Sequence, residues 1–139
     1  MNTTLLENSQ TTLIRSEWLQ ALNTLEKNIT EWSKGEGWQV RPFERVFTEA
    51  STGIYTAPDL IIETPDGERL NVEVKGRGPA EASGRVQVSA WPTLFRVTLL
   101  HKSEEDNWTI RTDSGIPIRK PWNQETFVLL AKDLLSADQ

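Results

Sequence analysis

The chain of 139 residues has no cysteine, one histidine (His101), one tyrosine (Tyr55) and one methionine. Without cysteine there is no disulfide, no thiolate zinc site and no cysteine nucleophile, and a lone histidine excludes any centre built on a histidine pair. Long apolar runs are also missing. None approaches the roughly 18 residues that cross a bilayer, and residues 1–10 carry neither a basic stretch nor an apolar run. The chain therefore reads as a cytoplasmic protein with no membrane span, limited to carboxylate, lysine and hydroxyl chemistry.

What is present is ordinary for one globular domain over residues 1–139, with 37% apolar and 25% charged residues. The net charge of −5 argues against indiscriminate nucleic-acid binding, which needs a positive surface to release counterions. The charge is uneven. Residues 1–74 hold six basic against twelve acidic groups, residues 75–122 eight against five, and residues 123–139 one against three. An acidic first half before a mildly basic middle suits an acidic metal site beside a weak phosphate-contacting surface, or simply a solvated exterior.

After a polar lead over residues 1–10, expected to be flexible, Trp18, Leu22, Leu25, Ile29 and Trp32 recur at alternating steps of four and three, one face of a helix placed at 11–34. Lys34-Gly35 suits its C-terminus as a left-handed cap. A sheet is expected over 38–112. It opens with a strand over 38–48, irregular at Pro42 and so near an edge, followed by a small-residue loop at 50–57. Hairpins follow at 59–75 and 95–112, the second around a polar loop at 103–107. Residues 85–90 alternate as a short strand would, and 123–136 is an amphipathic helix with Asn123 as its N-cap. The predicted fold class is α+β: an N-terminal helix, a central mixed or antiparallel sheet and a C-terminal helix.

Pro65-Asp66-Gly67 has the chemistry of a three-residue hairpin loop, a type I turn closed by a left-handed glycine. If Thr64 faces Glu68, then Glu63 faces Arg69, Ile62 faces Leu70, Leu60 faces Val72 and Asp59 faces Glu73. Leu60, Ile62, Leu70, Val72 and Val74 then form a core surface. The opposite surface gathers Asp59, Glu73 and Lys75 at its open end. Two carboxylates side by side repel unless a positive group stands between them. Either a divalent ion or Lys75 itself could fill that role. Magnesium or manganese, which take hard oxygen ligands, fit a site of this kind, with Lys75 beside an attacking water or a phosphate.

Pro58-Asp59, followed after a hairpin turn by Glu73-Val74-Lys75, resembles the signature of the PD-(D/E)XK nuclease superfamily, nearest to its archaeal Holliday-junction-resolvase branch and more weakly to cyanobacterial excision-factor proteins. Glu26 on the helix, Gly37-Trp38-Gln39-Val40 at the strand start and Ser51-Thr52-Gly53 in the loop stand in the same order as in that group. The resemblance covers residues 22–77. It implies a restriction-endonuclease-like fold and Mg2+- or Mn2+-dependent hydrolysis of DNA, with Asp59, Glu73 and Lys75 catalytic. Asp59, Glu73, the carbonyl of Val74 and Glu26 would surround the metal, and a homodimer would be common. One departure is that residues 76–93 lack the helical periodicity of the helix that the superfamily places after the Glu-x-Lys strand. That leaves an alternative: a catalytically inactive PD-(D/E)XK-like protein that serves as a protein-interaction or nucleic-acid-binding subunit.

Other features invite weaker roles. Trp91, Trp108 and Trp122 could stack on bases or pack in the core. His101 ends a strand. Gly76-x-Gly78 lacks the following lysine and helix of a P-loop. Tyr55 could touch a substrate or anchor its loop.

Overall fold

No proline or glycine interrupts the chain between Asn2 and Lys34, and in the computed structural model, which describes residues 2–77, 84–90, 96–102, 107–112 and 118–136, a single helix α1 spans Asn2–Gly35. It begins well ahead of the start expected near residue 11, so the polar lead is helical rather than flexible. Of the expected stripe, Trp18, Leu22, Leu25 and Ile29 are at most 5% exposed and Trp32 is half-buried, and Ala21 is buried beside them. The end of α1 is a paired-bond motif. Gly37 N donates to Lys34 O at 3.0 Å and Trp38 N to Ser33 O at 2.9 Å. The left-handed residue is Gly37, at φ +80°, and not Gly35 as the sequence suggested.

Seven strands follow: β1 (Gln39–Glu49), β2 (Gly53–Glu63), β3 (Arg69–Arg77), β4 (Gly84–Ala90), β5 (Arg96–Lys102), β6 (Asn107–Thr112) and β7 (Arg119–Pro121). Every strand pairs antiparallel with its neighbour in sequence, giving one open sheet in the order β1-β2-β3-β4-β5-β6-β7. The sheet is therefore antiparallel throughout its described part, with no parallel pair. Residues 53–57, expected as loop, extend β2, because Tyr55 and Ala57 turn into the core and the β1–β2 ladder runs unbroken from Glu49↔Gly53 to Gln39↔Glu63. Exposed β1 is an edge strand and holds Pro42.

The 64–67 turn behaves as its residues dictate. Gly67 N donates to Thr64 O at 2.9 Å, Thr64 N to Glu68 O at 2.9 Å, and the Thr64 hydroxyl accepts from Glu68 N at 3.1 Å. Helix α2 (Gln124–Ser136) starts on a reciprocal cap: Thr126 N donates to Asn123 Oδ1 at 2.9 Å and Asn123 N to Thr126 Oγ1 at 3.1 Å.

Both helices cover one face of the sheet. Their apolar stripes meet Leu60, Ile62, Leu70, Val72, Val86, Val88, Leu99 and Ile110 in a single core. Trp18, His101 and Trp108 cluster with ring centroids 5.0 to 6.3 Å apart, and Trp32, Trp122 and Phe127 form a second aromatic group at 5.1 to 5.8 Å. Trp108 Nε1 donates to Ala21 O at 3.2 Å, and Trp122 Nε1 to Asn28 Oδ1 at 3.3 Å. His101 and Trp108 are thus core residues and Trp122 is half-buried beside them, while Trp91 and Gly78 lie outside the described residues. No described helix is long and apolar enough to cross a membrane.

Candidate functional site

The turn chemistry sets the β2–β3 register as far as it can reach. Glu63↔Arg69, Ile62↔Leu70, Ile61↔Asn71 and Leu60↔Val72 pair as the Pro65-Asp66-Gly67 loop requires, and the ladder stops there. The next expected pair, Asp59 with Glu73, is not a ladder pair. Between Ala57 and Leu60 the buried positions of β2 change from odd to even numbers, although its ladder with β1 runs on through Pro58 and Asp59. Asp59 Oδ1 instead accepts from the backbone N of Val74 at 2.9 Å, a side chain taking over a sheet hydrogen bond.

The positive group at Asp59 is an arginine from β1. Arg45 Nε lies 2.7 Å from Asp59 Oδ2, its Nη2 lies 3.3 Å from Asp59 Oδ1, and the same Nη2 donates to the carbonyl of Val74. Both carboxylate oxygens and the carbonyl thus converge on one guanidinium, the planar fork that matches them best. The Arg45 guanidinium also lies 4.6 Å over the Phe47 ring, which stacks on Tyr55 at 5.1 Å.

Glu73 and Lys75 form a separate pair. Lys75 Nζ lies 3.3 Å from Glu73 Oε2, with both side chains close to half exposed. No hydrogen bond or ion pair joins them to Asp59. Lys75 sits at a bulge, where the β3–β4 register shifts between Val74 and Gly76. Glu26, on α1, feels the charge of Glu44 on β1. Burial first, and then that like charge, push its carboxyl above the usual range.

The expected ligand set is therefore divided. Among the described residues no three histidine, aspartate or glutamate side chains are grouped to hold a metal ion. A divalent ion does not fit the arrangement as it stands, because the oxygens that would bind it already bind Arg45, and Glu73 is held by Lys75.

A second polar cluster lies beside the first. Glu49 Oε1 accepts from the Tyr55 hydroxyl at 2.8 Å and from the Thr52 hydroxyl at 2.6 Å, and Arg77 N donates to Oε2 at 3.2 Å. The Tyr55 oxygen in turn accepts from Trp18 Nε1 at 2.9 Å. Burial and the Glu49 carboxylate push the Tyr55 hydroxyl well above the usual tyrosine range. Tyr55 is thus a 5%-exposed anchor rather than a substrate contact. Gly76, at φ +103°, makes room for the Glu49 carboxylate: a Cβ there would stand 2.0 Å from Oε2.

Arg45 and Glu49 were the residues that sequence reasoning missed. The signal for Arg45 lay in the β1–β2 register, which places Phe43 opposite Asp59 and Arg45 opposite Ala57. No protein-family model, curated protein or solved structure matches the chain.

Proposed function

We propose that the chain is a catalytically silent protein of PD-(D/E)XK type, restriction-endonuclease-like over α1 and β1–β3, that works in the cytoplasm as a nucleic-acid-binding subunit. One observation carries this reading: the guanidinium of Arg45 occupies the position between the Asp59 carboxylate and the Val74 carbonyl. A permanent cation covalently tied to the fold neutralises the carboxylate without polarising a water, since an arginine has no open coordination position. The direct β3–β4 hairpin supports the same reading, because residues 78–83 alone join the strands and a crossover helix is not what brings β4 beside β3.

The competing reading is Mg2+- or Mn2+-dependent hydrolysis of DNA by Asp59, Glu73 and Lys75. The convergence of Asp59 and Val74 on one cation favours it, but it requires Arg45 to leave. Calorimetric titration with magnesium and with manganese separates the two. Wild type should take up neither ion, and Arg45→Ala should gain weak manganese binding that Arg45→Ala/Asp59→Ala lacks. Stoichiometric binding by wild type, lost in Asp59→Ala, would sink the silent reading.

A further inference from the structure

Strand β7 is short, and where it stops the fold leaves a cavity. The β6–β7 ladder ends at Thr109↔Pro121, while β6 itself runs on to Asn107. Past Pro121 the chain leaves the sheet, and Trp122 packs on Trp32 of α1 and Phe127 of α2 with ring centroids 5.1 and 5.5 Å away. The space beside Asn107 and Trp108, bounded also by Thr24 and Asn28 of α1, has a volume of about 360 Å3. Small-molecule sites span about 300–1,000 Å3.

The walls are of two kinds. Trp108, Trp122 and Pro121 supply carbon surface, the other four residues supply amides and hydroxyls, and none of these described residues is charged. Both indole N–H groups are already used inside the fold: Trp108 Nε1 donates to Ala21 O at 3.2 Å and Trp122 Nε1 to Asn28 Oδ1 at 3.3 Å. The indoles therefore offer a ligand ring carbon alone. Trp18 and His101 brace Trp108 with centroids 5.9 and 5.0 Å away, as Trp32 and Phe127 brace Trp122, so these walls are set before anything binds.

The polar groups are the reverse. An indole N–H can only donate, so Asn28 turns Oδ1 to Trp122 and keeps both Nδ2 donors for other use. Among the described residues those donors have no acceptor, and the side chains of Thr24, Asn107 and Thr109 make no hydrogen bond. They stand on two elements, α1 and β6, and so reach a ligand from more than one side.

That combination selects a ligand class. A phosphate or carboxylate finds no cation among these residues. A nucleobase carries fixed donors and acceptors along an edge in its own plane and calls for partners arrayed in that plane. A pyranose has hydroxyls around its rim that each donate and accept, and faces of C–H groups that suit the electron-rich face of an indole.

We propose that the cavity between α1, β6 and β7 binds a neutral pyranose sugar, packed on Trp108 and Trp122 and hydrogen-bonded by Asn28, Asn107, Thr24 and Thr109. The site shares no residue with the Arg45–Asp59 cluster and does not rest on the nucleic-acid-binding reading. The test is proton–nitrogen correlation NMR of the full-length chain titrated with glucose, galactose, mannose and N-acetylglucosamine, with uridine and adenosine in parallel, at low and high salt. It compares wild type with Thr24→Ala/Asn107→Ala, which leaves both indoles in place, and with Gln39→Ala on β1, each fold checked by circular dichroism.

At least one sugar should shift the Trp108 and Trp122 indole N–H signals, leave that of Trp38 unmoved, and saturate with a Kd of about 1 mM or tighter. Salt should change this little, because the lining carries no charge. The double variant should bind about tenfold more weakly, and Gln39→Ala should match wild type. A folded wild type that responds to none of the sugars overturns the proposal. Tighter binding of a nucleoside overturns the sugar as occupant, and a folded double variant that binds like wild type overturns the placement.

Discussion

Arg45 reaches across the β1–β2 ladder to hold Asp59 at 2.7 Å while donating to the carbonyl of Val74 on β3. One side chain thereby ties three strands together at the point where the β2–β3 ladder has ended. Asp59→Ala removes the ion pair and leaves the Val74 N–H without its acceptor. It should cost about 1–3 kcal/mol in urea unfolding. Asp59→Asn, which keeps an acceptor oxygen, should cost less. Equal losses in the two variants would show that the Val74 hydrogen bond contributes nothing.

The Tyr55 hydroxyl accepts from Trp18 and donates to Glu49, and its oxygen is enclosed. Tyr55→Phe strands the indole N–H and one carboxylate lone pair while leaving the ring stack on Phe47. A loss of about 1–3 kcal/mol is expected, without change in secondary structure. Chemical denaturation measures it. A variant as stable as wild type would mean that the enclosed indole finds another acceptor.

Gly84 lies under the indole of Trp18 so closely that a Cβ would stand 1.9 Å from the ring. Gly84→Ala must displace Trp18, and with it the hydrogen bond to Tyr55 and the contact with His101. It should cost about 1–3 kcal/mol or more, by overpacking. Near-ultraviolet circular dichroism should change as the indole moves. An unaltered spectrum and midpoint would count against the packing described.

The carboxyl of Glu26 is held above the usual range by burial and then by Glu44, so the folded chain binds this proton more tightly than the unfolded chain. Its contribution to stability is full below the ordinary glutamate range and is lost as pH rises through the higher folded value. Glu26→Gln should therefore be more stable than wild type at neutral pH and equal to it in acid. Unfolding midpoints across that window test the sign. A loss at neutral pH alone would instead indicate that the carboxylate has a cationic partner.

Local chemistry was the legible part. Pro65-Asp66-Gly67 fixed four ladder pairs because a turn of that kind depends on its own residues, and Trp18, Leu22, Leu25 and Ile29 revealed the buried face of α1 through periodicity alone. What sequence could not show was decided between elements. Extending the hairpin register to Asp59 assumed a regular strand, and the aspartate side chain replaces a backbone partner there. Small residues at 50–57 looked like loop, yet Ile54 and Tyr55 carry β2 through because Trp18 and Phe47 give Tyr55 a place to pack. Arg45 was one charged residue among many on β1 until the third strand gave it a carbonyl.

The meander has a temporal side. Each strand needs only its predecessor, so the sheet has low contact order and can grow strand by strand as the chain is made. Helix α1 precedes the sheet but gains its partners over a long stretch of chain. Trp18 waits for Tyr55 37 residues on, and Ala21 waits 87 residues for Trp108. During synthesis its stripe of Trp18, Leu22, Leu25 and Ile29 is therefore covered only in part, by β1 and β2, until β6 arrives. That interval is when the nascent protein most needs a chaperone, and truncation before β6 should leave a fragment prone to aggregate.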